Sequence, residues 1–206
     1  MNVSIVIICG KDRGYLRHAI ASAEAQQFDG TFEIVVQQDA SKSMPENTNE
    51  GVRRASGEYV KWLHDDDLLL PDALTSLWQV GEADVIVSNV EWFGDWFEES
   101  PKCYLPVNLE DFINNNPINQ AGTMYRRQVL LDEPLNEDLW TAEEYELNLR
   151  LYAKKYTFKY IDAVTARYRV HPEMKSGSAY WYTHQVSKAK RKAEIERIRN
   201  IYREML

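Results

Sequence analysis

The stretch Glu58-Tyr59-Val60-Lys61-Trp62-Leu63-His64-Asp65-Asp66-Asp67-Leu68-Leu69-Leu70-Pro71 runs an aromatic and β-branched segment straight into three adjacent carboxylates. Residues 58–63 have the period-two character of a strand, so the acidic cluster falls at a strand's carboxyl end. Three neighbouring carboxylates repel one another unless solvent or a cation separates them. Oxygen-rich clusters of this kind suit hard divalent ions such as Mg²⁺ or Mn²⁺, which in turn carry phosphates. The competing reading is a solvated acidic turn leading into a helix from Pro71, with Asp67 or Asp72 at its positive end.

Outward from this stretch, strands and helices alternate, which predicts an α/β fold with a mainly parallel sheet flanked by helices. Val3 to Ile8 is a continuous apolar run, as expected of a strand buried on both faces. Asp12 is placed to cap a helix carrying Leu16, Ile20 and Ala23, ending near Phe28-Asp29-Gly30. A strand at 32–36, a short helix at 51–55 stopped by Gly57, a helix at 71–80 and a strand at 83–90 follow. Trp92, Phe93, Trp96, Phe97 and Tyr104 then crowd together, either as core packing or as a wall for an acceptor sugar. Further on, the spacing predicts helices over 109–115 and 143–154 and strands over 122–125, 156–161 and 164–170. Residues 175–178 read as a loop. One domain over 1–180 is followed, over 181–206, by a basic amphipathic helix with Ile195, Ile198, Tyr202 and Met205 on one stripe. That helix has three available roles: packing on its own domain, homodimerisation, or peripheral contact with an anionic membrane through Lys188, Lys190, Arg191 and Lys192.

Composition narrows the class. The 206 residues suffice for one well-packed domain, and 44% hydrophobic with 12% aromatic residues exclude wholesale disorder. Thirty-two acidic against twenty-four basic residues give a net charge of −8, which argues against a nucleic-acid partner. No apolar run approaches the ~20 residues of a membrane helix, and Met1-Asn2-Val3 leads into a strand rather than a signal peptide. Cys9 and Cys103 lack metal-ligand spacing, so free thiols in a reducing cytoplasm are expected.

The strand ends of the first half, at Cys9-Gly10, Asp39 and the acidic cluster, share one edge, where open α/β sheets bind ligands. Asp39 either accepts a hydrogen bond from a base or ribose or shapes the Asp-Ala-Ser turn. Neither G-x-x-x-x-G-K nor G-x-G-x-x-G occurs, so a phosphate ligand must be held through a metal and side-chain cations.

These pieces, in this order, resemble the GT-A glycosyltransferases, family 2 in particular. The resemblance rests on Val3 to Ile8 with Arg13, Tyr15-Leu16-Arg17, Ala25-Gln26-Gln27-Phe28, and Glu33 to Val36 leading to Asp39-Ala40-Ser41. It continues through Asn49-Glu50-Gly51, Gly57 to Val60 and the "DxD"-like His64-Asp65-Asp66-Asp67. Glu143-Glu144-Tyr145-Glu146-Leu147 is similar to the family's "ED" segment and Tyr168-Arg169-Val170-His171 to its "YRxH" element. The resemblance implies a metal-dependent inverting transfer from a nucleotide diphosphate sugar, with UDP favoured by family habit, to a saccharide or other hydroxyl acceptor. In that reading Asp39 binds base or ribose, Asp65 ribose or donor sugar, and Asp66 the Mn²⁺ or Mg²⁺ ion, with His64 and Asp67 beside it. Cys9 and Arg13 join the donor-binding set, and Arg169, His171 and Lys175 contact the diphosphate.

The chain departs from the family pattern in two motifs. His64 stands where many members have the first carboxylate, although imidazole also ligates manganese. The base candidates are glutamates: Glu144 by family register, or Glu143 if Glu144 is spent on a capping box with Thr141. Two other functions compete. A non-catalytic carbohydrate- or nucleotide-binding module would keep the fold without the chemistry. A sugar-phosphate nucleotidyltransferase would need a Gly-rich basic loop, and Cys9-Gly10-Lys11-Asp12-Arg13 is a poor one.

Overall fold

Strands β1 (Val3–Cys9), β2 (Phe32–Gln38) and β3 (Tyr59–His64) pair in parallel, with β1 central. The computed structural model describes residues 2–94, 100–171 and 185–206, with side chains from 189 onward in the last of these. The sheet extends through β6 (Thr123–Arg126), β5 (Val85–Gly94) and β7 (Phe158–Val170) to β4 (Leu68–Leu69). The seven strands lie in the order β2-β1-β3-β6-β5-β7-β4. The long pairings are parallel and the short ones, β3–β6, β5–β6 and β4–β7, antiparallel.

Helices cover both faces. One layer of core gathers Val60, Trp62, Tyr125, Phe112 and Leu147, with the Trp62 and Tyr125 rings stacked 4.8 Å apart. The other gathers Ile5, Ile7, Leu63, Leu74 and Met124. Helices α2 (Met44–Arg54), α4 (Leu109–Asn115), α5 (Arg127–Asp132) and α6 (Glu143–Ala153) contribute to the first layer, α1 (Leu16–Glu24) and α3 (Ala73–Trp78) to the second. The last helix, α7 (Gln185–Arg203), lays Ile198 and Tyr202 into the first layer. Tyr202 donates to Glu146 (2.9 Å) and Arg199 to the Asn114 carbonyl (2.9 Å), tying α7 to α6 and α4. Met205 is exposed, so the apolar stripe stops short of it.

Several elements differ from the sequence reading for definite reasons. Helix α2 begins well before 51 because Ser43 and Glu46 form a reciprocal capping box and Pro45 sits in the first turn. Asp12 caps no helix; its carboxylate accepts from Gly14 N–H (2.7 Å) in a turn, and α1 ends at Glu24. The two strands expected over 156–170 are one strand whose register against β5 shifts around Asn89. β3 is buried along nearly its whole length, Lys61 included.

The end of the β5–β7 pairing is unusually close. Gly94 has φ +120°, and a Cβ there would lie 2.2 Å from the Val170 carbonyl oxygen. Gly94→Ala is therefore expected to destabilise the fold by about 1–3 kcal/mol, through steric overpacking and an unfavourable backbone angle. A thermal melt checks it: an unchanged melting temperature would show that the strand ends have room to part.

Candidate functional site

The site is assembled at the carboxyl ends of β1 and β3, closed over by the end of β7. β3 runs into the tight turn Asp65–Asp67, whose geometry is fixed from the far side of the sheet. Arg169 N–H donates to Asp67 Oδ1 (2.9 Å), and its guanidinium Nε donates to the Asp66 carbonyl (2.8 Å). That guanidinium is itself held between aromatic faces, 4.5 Å from the Tyr15 ring and 4.3 Å from the Phe93 ring. Two residues on, the buried His171 places Nε2 3.0 Å from Asp66 Oδ2. Arg13 donates to the same oxygen at 3.1 Å and lies 3.6 Å from Asp65.

The three carboxylates are not equivalent. Burial works against ionisation of Asp66, but the His171 hydrogen bond and the charges of His64 and Arg13 outweigh it and hold this group below the usual carboxylate range. Asp65 is pushed up by burial and by Asp66. Asp67 is pushed well up by the same two causes, and its Oδ2 is buried without a hydrogen-bond partner. Lys61 is a further charge in this region, fully buried on β3 and donating to the Trp62 carbonyl (2.9 Å). Burial pulls its ammonium down to about 7, only partly opposed by Asp67. Between pH 7 and 10.5 the unfolded chain therefore keeps a proton on Lys61 that the folded chain has lost, so this group makes stability rise with pH across that window.

One ligand atom each from His64, Asp66 and Asp67 lies within 4.8 Å of the others. Carboxylate oxygens with one imidazole suit Mn²⁺ or Mg²⁺, and the unpartnered Asp67 Oδ2 is an atom a cation would satisfy. The residues present fit such an ion.

A cleft of about 450 Å³ opens from this cluster. Arg13, His64, Asp66, Glu143 and Glu144 all line it. Glu144 Oε1 stands 3.7 Å from His64 Nε2 and is a quarter exposed, whereas Glu143 is nearly buried. The capping box expected of Thr141 and Glu144 is not formed. The residue before α6 is Ala142 in the left-handed region (φ 62°), with no side-chain cap. Instead Glu194 of α7 accepts from Trp140 N–H (3.4 Å) and Thr141 N–H (3.0 Å). Glu144 is thereby left to the cleft.

Other sequence-derived candidates lie elsewhere. Asp65 turns inward to Arg13 and to the Cys9 thiol, and is 1% exposed. Cys9 is fully buried, its thiol pushed up to about 12 by burial and by Asp65, so only its backbone faces the strand end. Asp39 sits past the end of β2, two strands and so roughly 10 Å from β3. Its carboxylate accepts from the Ser41 N–H (2.9 Å) and hydroxyl (2.6 Å), which is the turn-forming arrangement. Asp39 and Asp65 thus do not converge with Asp66 on the 450 Å³ cleft. Lys175 lies outside the described residues.

The same architecture recurs among solved structures. S. aureus TarS 1–349 in complex with UDP superposes with a TM-score of 0.67 at 18% identity, over 84% of this chain and 62% of that one. Its complex with UDP-GlcNAc gives 0.69 at 17% identity, over 83% and 59%. The chain has the GT-A glycosyltransferase fold. No protein-family model matches it. A curated relative, GalNAc(5)-diNAcBac-PP-undecaprenol beta-1,3-glucosyltransferase of Campylobacter jejuni, is 27% identical over 142 residues. That alignment covers 63% of this chain and 44% of the relative, so the chain spans less than half of the relative's length. Among the described residues, no helix is long and apolar enough to cross a membrane.

Within the GT-A frame, three groups near the site escaped the sequence reading. Lys61 carried a signal, since a lysine inside an apolar central strand must either reach solvent or be buried. Tyr15 and Phe93, the two faces around Arg169, carried none, because their meeting depends on β5 and β7 pairing. Arg191 and Arg199 of α7 also line the cleft, on either side of Ile195 from the apolar stripe.

Proposed function

We propose that the chain is a metal-dependent inverting glycosyltransferase that moves a sugar from a nucleoside diphosphate donor, uridine favoured, to an acceptor hydroxyl. The observation that carries it is the 3.7 Å approach of Glu144 to His64, which sets a carboxylate base against the cluster suited to a diphosphate-bearing ion. The TarS complexes with UDP and UDP-GlcNAc support the donor class, and the curated relative's glucosyl transfer supports the reaction.

Glu144 removes the acceptor hydroxyl proton as that oxygen bonds to the anomeric carbon. The bond from that carbon to the diphosphate oxygen breaks on the opposite face, and its electron pair leaves with the nucleoside diphosphate. His64, Asp66 and Asp67 would hold a divalent ion, which when bound would neutralise charge on the leaving group. Arg13 and His171 keep Asp66 ionised and oriented, and Arg169 fixes the turn that presents it. Asp39, at the β2 end, remains for the base or ribose through the carboxylate oxygen that Ser41 does not engage.

Thermal-shift titration with UDP tests the donor reading. With Mn²⁺ present, UDP at about a hundred times its dissociation constant is expected to add ~2.7 kcal/mol, a rise of several degrees in melting temperature. No shift from any nucleoside diphosphate, with either Mn²⁺ or Mg²⁺, would remove the proposal.

A further inference from the structure

We infer that Glu194, on the C-terminal helix α7, is a positioning residue for the base Glu144, acting through the turn that leads into α6. The inference rests on the transferase reading, in which Glu144 takes the acceptor proton. Two side chains of α7 one helical turn apart, Lys190 and Glu194, grip the same short segment. Glu194 commits both carboxylate oxygens to it, Oε1 accepting from Trp140 N–H (3.4 Å) and Oε2 from Thr141 N–H (3.0 Å). The Lys190 ammonium lies 4.7 Å from the centre of the Trp140 ring. Past the base, the Tyr202 hydroxyl donates to Glu146 Oε1 (2.9 Å). Helix α7 therefore holds the chain on both sides of Glu144, at 140–141 and at 146.

The gripped turn is one that a chain does not adopt unaided. Ala142 has φ 62° and ψ 24°, a left-handed conformation in which its Cβ is crowded, and α6 starts there without a side-chain cap. Such a residue persists only where its surroundings over-determine it. The Glu194 side chain is 12% exposed, and a carboxylate so placed makes charge-assisted bonds to the two amides just before Ala142. The direction in which α6 leaves this turn sets where Glu144, its second residue, points. With the turn as it stands, Glu144 Oε1 reaches 3.7 Å from His64 Nε2 and lines the cleft. Glu194 is not among the residues lining that cleft, so its route to the reaction is the backbone of 140–142 rather than contact with substrate.

Two measurements on the full chain test this. Hydrogen exchange reads the grip itself: in Glu194→Ala the Trp140 and Thr141 amides are expected to exchange faster, with the central strands unchanged. Release of UDP from UDP-glucose or UDP-GlcNAc, with Mn²⁺ present and water as the attacking hydroxyl, reads the consequence. At saturating donor, Glu194→Ala is expected to release UDP at least ~10-fold more slowly than the wild type, the scale of a misplaced catalytic group, while calorimetry finds UDP affinity unchanged. Glu194→Gln keeps one acceptor oxygen for the two amides, so its loss should be smaller, and it serves if the Ala variant does not fold. The cycle with Glu144→Gln separates positioning from general stability. If Glu194 acts through the base, Glu144→Gln/Glu194→Ala is no slower than Glu144→Gln alone. Unchanged exchange at Trp140 and Thr141, or losses that add in the double variant, would overturn the inference. An inactive Glu144→Gln beside a fully active Glu194→Ala would overturn it too and leave the transferase reading standing. Absence of UDP binding in the wild type would instead strike at the transferase reading, and the exchange measurement decides on the grip in either case.

Discussion

Glu144→Gln is expected to fold, to bind UDP with its divalent ion as the wild type does, and to transfer sugar at least ~10²-fold more slowly. The amide matches the carboxylate in size but cannot take the acceptor proton. A purely structural role at the start of α6 would predict near-normal turnover for Gln. The structure sharpens this contrast, because Thr141 forms no side-chain cap there and Glu194 accepts from the Trp140 and Thr141 amides. Glu143→Gln is the companion measurement: its nearly buried side chain is expected to affect melting temperature more than chemistry. Full activity in Glu144→Gln with an inactive Glu143→Gln would assign the proton transfer to Glu143.

Asp66→Asn is expected to remove the divalent-dependent part of UDP binding, with a loss in metal affinity exceeding about 100-fold. That is the upper end of what disturbing a mere supporting partner costs, and Asp66 is a direct ligand candidate. Its carboxylate receives Arg13 at 3.1 Å and lies 3.0 Å from His171 Nε2, contacts that favour its ionised form. The neutral amide keeps one acceptor oxygen, so the turn survives, but it is a far weaker ligand for a hard cation. Calorimetry with and without Mn²⁺ gives the answer. Equal UDP affinity in mutant and wild type, with manganese present, would reduce the acidic cluster to a solvated turn.

What the sequence disclosed follows from the range of the interactions involved. Strand ends and the acidic run are local features, so the α/β class and the edge bearing Asp66 were readable from residues 3–67. The Ser43–Glu46 capping box is local too, so the start of α2 at Met44 is legible from residues 43–46 alone. The Thr141–Glu144 box was plausible locally but failed because a competing partner, Glu194, arrives from a helix some fifty residues later. Side-chain direction was the other loss. Nothing in Asp65-Asp66-Asp67 says that the first faces Cys9 and Arg13, the second the cleft, and the third Arg169 N–H and a buried lysine. Those directions come from packing against β1 and β7.

The position of β7 has a consequence for how the protein comes into being. Among the described residues it is the last strand in sequence, yet it lies between β5 and β4, and the two residues of β4 join the sheet through it. During synthesis, Leu68 and Leu69 emerge almost a hundred residues before Arg167 and Ala166, their partners. Until then the carboxylate turn is held by β3, by Arg13 and by the Ile8 carbonyl, without Arg169 to clamp it or His171 beside Asp66. The nascent protein can thus complete most of its sheet while still lacking an organised cation site. The contacts of Arg169 and His171 to the turn arrive together, in a single late insertion.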